Sequence, residues 1–71
     1  MKFENRIRVY EDAIARFERT RAQMLARRRG AADTVMVQID ESLKLNERTL
    51  ASLRQILVTA KEELQQQKNS G

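Results

Sequence analysis

Adjacent carboxylates are the residues of this chain whose chemistry could support general acid–base catalysis. They occur as Glu11-Asp12, Asp40-Glu41 and Glu62-Glu63. Two carboxylates act together when both reach one substrate atom, whereas neighbours on a helix point about 100° apart. The sequence also contains neither a glycine-rich phosphate loop nor the serine-centred motif of hydrolases. We therefore predict no catalytic residues and a protein that is not an enzyme.

The sequence also offers few residues that could bind a metal ion or a cofactor. The chain contains no cysteine and no histidine, which excludes disulfides, typical zinc sites and Cys–His nucleophilic pairs. Carboxylates alone could hold a hard cation, but an Asp-x-Asp-x-Asp calcium loop is missing. We expect no metal site, no cofactor and no small-molecule substrate.

Arginine supplies the one remaining distinctive group. Residues 1–30 contain nine Lys/Arg and four Asp/Glu, a net charge of +5, whereas residues 31–71 contain five and six, a net charge of −1. Guanidinium groups bind phosphates and carboxylates, so such a patch could bind nucleic acid or an acidic protein. The candidate anion-binding patch comprises Arg16, Arg19, Arg27, Arg28 and Arg29. Nucleic-acid binding remains an alternative prediction, because no aromatic residue interleaves with these arginines to stack a base.

The same basic residues also have a purely structural interpretation. If the basic first half lies against the acidic second half, Arg21 and Arg28 could pair with Asp40, Glu41 or Glu47. Pairs beside an apolar seam fix the register of two helices. Both interpretations stay open at this point.

Two apolar seams with a seven-residue repeat must position all of these groups. In the first segment the seam comprises Phe3, Ile7, Tyr10, Ile14, Phe17 and Met24. In the second it comprises Met36, Ile39, Leu43, Asn46, Leu50, Leu53, Leu57, Ala60 and Leu64. The steps alternate between three and four, with Arg21 filling the position between Phe17 and Met24 in the first seam. This repeat predicts helices that pack at a shallow, coiled-coil-like angle. Asn46, the polar residue of the second seam, either specifies pairing from a buried position or is solvated.

The two seams are out of phase by one residue. If the seven-residue repeat of the first seam is continued through the turn, it places a seam residue at Val35. The repeat of the second seam places it at Met36 instead. The slip falls at Gly30, which could end a helix in the left-handed conformation, and Asp33 could cap the next helix. The coincidence of a stop signal, a start signal and a phase slip favours a turn here.

These signals predict an all-α fold consisting of one two-helix antiparallel hairpin. The predicted ranges are helix 1 over about 2–29, a turn over about 30–33, helix 2 over about 34–67, and a disordered tail over 68–71, so that the single domain covers 1–67. Folding back would bring Phe17 opposite Asn46 and Met24 opposite Ile39. The alternative is one continuous helix about 100 Å long.

Association with another helical chain follows from the small size of the expected core. Chains of this size bury only about 60% of their unfolded surface, and Val35, Thr49, Ile56 and Leu25 widen the apolar stripe beyond one neighbour. We expect two hairpins to form a four-helix bundle as a homodimer, or a helical partner to cover the seam. The predicted function is a non-enzymatic interaction module, such as an adaptor, assembly factor or chaperone. No apolar run exceeds three residues, so we expect no membrane span and a cytoplasmic protein.

Overall fold

Two long α-helices make up nearly all of the described chain. The computed structural model describes the backbone of residues 2–70 and the side chains of residues 4–69. Helix α1 spans Lys2–Arg28 and helix α2 spans Asp33–Ser70. The chain contains no proline, and its glycines lie outside the seams, so helix propensity is high throughout. The predicted all-α class is confirmed.

The two helices pack against each other in antiparallel orientation. Close to the turn Arg28 pairs with Asp40, and far from the turn Glu11 pairs with Lys61. The molecule measures 57 × 15 × 13 Å, whereas a continuous helix of this length would extend about 100 Å. The hairpin prediction is therefore confirmed and the continuous helix is wrong.

The start of α2 lies one residue away from the predicted cap. The backbone N–H of Met36 donates to the carbonyl oxygen of Ala32 at 2.8 Å. Ala32 thus occupies the capping position, and Asp33 is the first helical residue. The Asp33 carboxylate still lies at the positive end of the helix dipole, which favours a negative charge.

The turn forms without the left-handed glycine that the sequence suggested. No glycine among the described residues has a positive φ. Instead, the N–H of Ala31 donates to the carbonyl of Arg28 at 3.3 Å, an i to i+3 bond of the tighter type that often ends a helix. The expectation for Gly30 was wrong, because this turn closes with ordinary backbone angles.

Helix α2 continues to Ser70, three residues beyond its predicted end. Residues 68–70 are helical rather than a tail, whereas residue 71 lies outside the described range. The segment between 67 and 70 contains neither glycine nor proline, so nothing in it interrupts the helix.

The core of the hairpin is narrow. The buried residues are Ile14, Ile39, Asn46, Leu50 and Ala60, and Leu50 is the most enclosed with 2% of its surface exposed. The other seam residues are half-buried, namely Ile7, Tyr10, Phe17, Met24, Met36, Leu43, Leu53, Leu57 and Leu64. The predicted seam residue Phe3 has a side chain outside the described residues. Each helix therefore leaves much of its seam accessible.

Candidate helix-docking surface

A row of ion pairs joins the two helices along one side of the seam. Its four members are Arg28–Asp40 at 2.7 Å, Arg21–Glu47 at 3.4 Å, Glu18–Arg54 at 3.1 Å and Glu11–Lys61 at 3.8 Å. The α2 partners follow one another every seven residues, so they form a straight line beside the seam. We call the side of the hairpin that this line occupies the ionic face.

The charges of the ionic face are arranged in blocks. Starting from the turn, α1 presents two basic and then two acidic partners, and α2 presents two acidic and then two basic partners. Each side chain is roughly half exposed, and exposed pairs of this kind contribute little to stability. Their main effect is to favour one register. The predicted roles of Arg21 and Arg28 are confirmed, with Glu47 and Asp40 as their partners.

The Arg28–Asp40 pair is the best formed of the four. The Arg28 guanidinium donates two hydrogen bonds to the Asp40 carboxylate, at 2.7 and 3.3 Å. The hydrogen bonds from Arg28 are the main cause that lowers the pKa of Asp40. Partial loss of solvent opposes them, and the positive charges of Arg28 and Lys44 lower the pKa further. The same contact raises the pKa of Arg28. This pair links the N-terminal part of α2 to the end of α1.

Asn46 lies inside the seam rather than in solvent. Its side chain is only 5% exposed, and Nδ2 donates to the backbone carbonyl of Phe17 at 3.1 Å. The contact confirms that Phe17 lies opposite Asn46. The Oδ1 atom is buried without a hydrogen-bond partner, which costs free energy. Of the two alternatives for Asn46, the buried position is the one observed.

On the side of the seam opposite the ionic face, α2 presents no charged residue between positions 35 and 59. The residues along it are Val35, Gln38, Ser42, Leu45, Thr49, Ser52, Ile56 and Thr59. They alternate in steps of three and four, so they form a second continuous stripe. Residues 42, 49 and 56 each come two positions after an ion-pairing residue, which moves them about 200° round the helix. We call this side of the hairpin the uncharged face.

Helix α1 contributes a shorter flank to the uncharged face. Arg6, Ala13, Thr20 and Arg27 follow one another every seven residues. Arg6 borders a shallow depression together with Ile56, and Arg27 borders another. Each depression has a volume of about 190 Å³, below the roughly 300–1,000 Å³ of small-molecule pockets. These two depressions are therefore suited to side chains of another protein rather than to a small ligand.

The exposed apolar residues divide between the two faces. Leu45, Ile56 and Val35 are 64%, 42% and 40% exposed and belong to the uncharged face. Leu25 was expected to widen the same stripe, but it follows Glu18 by seven residues and so lies on the ionic face. The apolar pattern places Leu45 off the seam at an exposed position, but it does not assign Leu45 to this face. The signal that would assign it is the spacing of uncharged residues, which include small hydroxyl side chains that an apolar pattern ignores.

The predicted arginine patch is divided among different parts of the surface. Arg28 is held by Asp40, whereas Arg27 borders a depression of the uncharged face. Arg16 and Arg19 are exposed neighbours one turn apart, and Arg29 is exposed in the turn. The five arginines therefore do not form one compact cluster.

Within the described residues, no group of three or more acidic side chains could hold a metal ion. Neither described helix has a stretch that is long and apolar enough to cross a membrane. No protein-family model, curated protein or solved structure matches this chain. The geometry of the two faces is thus the basis for any functional proposal.

Proposed function

We propose that this chain is a non-enzymatic protein–protein interaction module that binds a helical partner through its uncharged face. The ionic face already satisfies the charged flanks of the seam within the hairpin. The uncharged face leaves Val35, Leu45 and Ile56 exposed beside half-buried seam residues. Exposed apolar residues grouped beside a half-buried seam are a common feature of protein interfaces.

The observation that supports this proposal best is the large accessible surface. The hairpin exposes 5812 Å², whereas a compact monomer of 8.3 kDa exposes about 4,600 Å² by the usual size scaling. The excess is about 1,200 Å², and each partner in a stable complex buries roughly 800 Å² or more. A partner that covers the uncharged face would bring the exposed area close to that of an ordinary globular protein.

Thermal unfolding over a range of protein concentrations tests the proposal. If folding is completed by association, the melting temperature followed by circular dichroism should rise by about 10 °C over a roughly hundredfold increase in concentration. Sedimentation equilibrium at the same concentrations should give an oligomer. A monomer that unfolds cooperatively at a concentration-independent temperature would contradict completion of folding by self-association, and the partner would then have to be a different helical chain.

A second candidate function is binding of nucleic acid by the exposed arginines. It is favoured by Arg16, Arg19, Arg27 and Arg29, which are exposed and lie in or near the half of α1 next to the turn. Replacing these four with Gln keeps helix propensity and removes four of the positive charges. If they contact phosphates, the slope of log affinity against log salt should shrink by up to about four units. Fluorescence anisotropy with single- and double-stranded oligonucleotides measures it, and no wild-type binding at low salt would exclude this function.

A further inference from the structure

We propose that the partner on the uncharged face is a second copy of this chain, oriented so that α1 of each copy packs against α2 of the other. In this same-end arrangement the two turns lie at the same end of a four-helix bundle. The inference builds on the proposed interaction function and adds the identity and orientation of the partner.

The first argument comes from how the two flanks of each seam are used. In a four-helix bundle every helix contacts two neighbours, one through each flank of its apolar seam. Within the hairpin, one flank of both helices is occupied by the ion pairs of the ionic face. The flank on the uncharged face remains for a neighbour from another hairpin. On α2 this flank comprises Val35, Ser42, Thr49 and Ile56, which have no charge to desolvate, and then Glu63 at the end far from the turn.

The second argument is the area that a second copy would cover. The excess exposed surface of about 1,200 Å² per hairpin corresponds to roughly 2,400 Å² buried between two copies. This area lies in the range of obligate homodimers, which bury about 2,000 Å² or more. A short peptide or a single helix laid on one edge would cover much less of each hairpin.

Charge complementarity selects the orientation. Arg6 and Glu63 border the same depression of the uncharged face, so they lie at the same height along the hairpin. In the same-end arrangement Arg6 of one copy faces Glu63 of the other. The α1 flank of one copy then lies against the α2 flank of the other. Ala13 faces Ile56, a small residue against a large one, and Thr20 faces Thr49, which brings two hydroxyl groups together.

The opposite-end arrangement lacks these advantages. It would pack the α1 helices of the two copies against each other in antiparallel orientation. If the two helices overlap fully, Arg6 of each copy lies opposite Arg27 of the other, so this contact between two arginines occurs twice. It would also bring Glu63 opposite Ser42, without a cation at that position. Like charges on flanking positions disfavour such a pairing.

Substitutions on the two faces test which side of the hairpin the second copy covers. Thr49→Lys introduces a charge at the middle of the uncharged face and should weaken self-association by about tenfold or more. Ala51→Lys adds the same charge at an exposed position on the other side of α2 and serves as the matched control. Helicity measured by circular dichroism at high concentration should be the same in both variants. Equal weakening by the two substitutions, or none by Thr49→Lys, would overturn the assignment of the face.

Distances between spin labels test the orientation. The chain has no cysteine, and a side chain added at Gly30 meets nothing within 4 Å, so Gly30→Cys provides a single label in the turn. In the same-end arrangement the two labels should lie about 10–30 Å apart, because neighbouring helices in a bundle are about 8–10 Å apart. In the opposite-end arrangement their separation should approach the 57 Å length of the hairpin. Double electron–electron resonance distinguishes the two values.

In an equimolar mixture of copies labelled at Gly30→Cys and at Gln66→Cys, about half of the dimers combine the two labels, and in the same-end arrangement these mixed dimers should add a long distance to the short distances of the like-labelled dimers. A long distance in that mixture and a short one for Gly30→Cys alone would support the same-end arrangement. An oligomer of Gly30→Cys alone that gives a long distance, or several distances, between its labels would overturn the orientation and leave the proposed interaction function intact. A stable monomer would overturn the second copy as the partner and would leave only a different helical chain for the proposed function.

Discussion

Replacement of Asn46 by leucine should stabilise the protein, although Asn46 makes a hydrogen bond across the seam. The substitution removes the bond from Nδ2 to the Phe17 carbonyl, which is worth about 1 kcal/mol net. It also removes Oδ1, which is buried without a partner and costs about 1–3 kcal/mol. The Phe17 carbonyl lies within α1, so it keeps its place in the helical hydrogen-bond pattern after the change.

The additional apolar contacts of leucine in this enclosed position contribute roughly 1–2 kcal/mol. Crowding by the larger side chain opposes this gain by an amount of similar size. The expected result is a free energy of unfolding higher by about 1 kcal/mol or more, which corresponds to a melting temperature about 4–8 °C higher for a domain of this size. The oligomer distribution should broaden as well, because a polar seam residue restricts the permitted pairings.

Urea unfolding followed by circular dichroism at one fixed protein concentration measures the change, and sedimentation velocity reports the species present. Asn46→Ala is the control, since it removes the same polar atoms without adding apolar volume and should not stabilise. A decrease in stability of more than about 1 kcal/mol in Asn46→Leu would refute the reasoning, because the Phe17 hydrogen bond would then outweigh the unpaired oxygen.

Three further predictions concern the core, the turn and the ionic face. Leu50→Ala should cost about 2–5 kcal/mol, measured by urea unfolding, because it truncates the most enclosed side chain. Gly30→Ala should raise the free energy of unfolding by about 0.4–1 kcal/mol, because Gly30 has no positive φ and open space for a Cβ; a loss of stability in the same assay would contradict this. The pKa of Asp40 is lowered mainly by its hydrogen bonds from Arg28, so the pair stabilises the folded state at neutral pH, and this contribution is lost as the pH falls through the pKa of the folded carboxyl. In Arg28→Gln the pKa of Asp40, followed by carboxyl-carbon NMR, should rise towards 3.8, and an unchanged pKa would show that another group holds it down.

The hairpin itself could be predicted because several local signals agreed. Two periodic seams, a phase slip and Gly30 all indicated the same break, and the seam spacing brought Phe17 opposite Asn46 as observed. The details of the turn could not be predicted in this way. Whether a helix ends in a left-handed glycine or in an i to i+3 bond depends on small energy differences that residue type alone does not determine.

The candidate docking surface was predicted only in part. Val35 and Ile56 were recognised as flanking residues, but the seam pattern alone did not show which flank the hairpin uses for its own ion pairs. That distinction depends on the positions of Arg54 and Lys61 relative to α1, which became visible only in the folded structure. The polar members of the uncharged face, such as Ser42, were missed because hydroxyl side chains give no signal in a search for apolar residues.

The block order of the ion pairs has a consequence for exchange of helices between molecules. If two chains opened at the turn and swapped their α2 helices, the antiparallel, aligned pairing would restore every ion pair in trans. A parallel pairing would bring acidic residues against acidic ones and basic against basic, since from the N-terminal end both helices present two acidic and then two basic members. A slip by seven residues would oppose Arg21 to Arg54. The ionic face thus discriminates against mispaired chains during assembly, even though each exposed pair adds little to the stability of the correct fold.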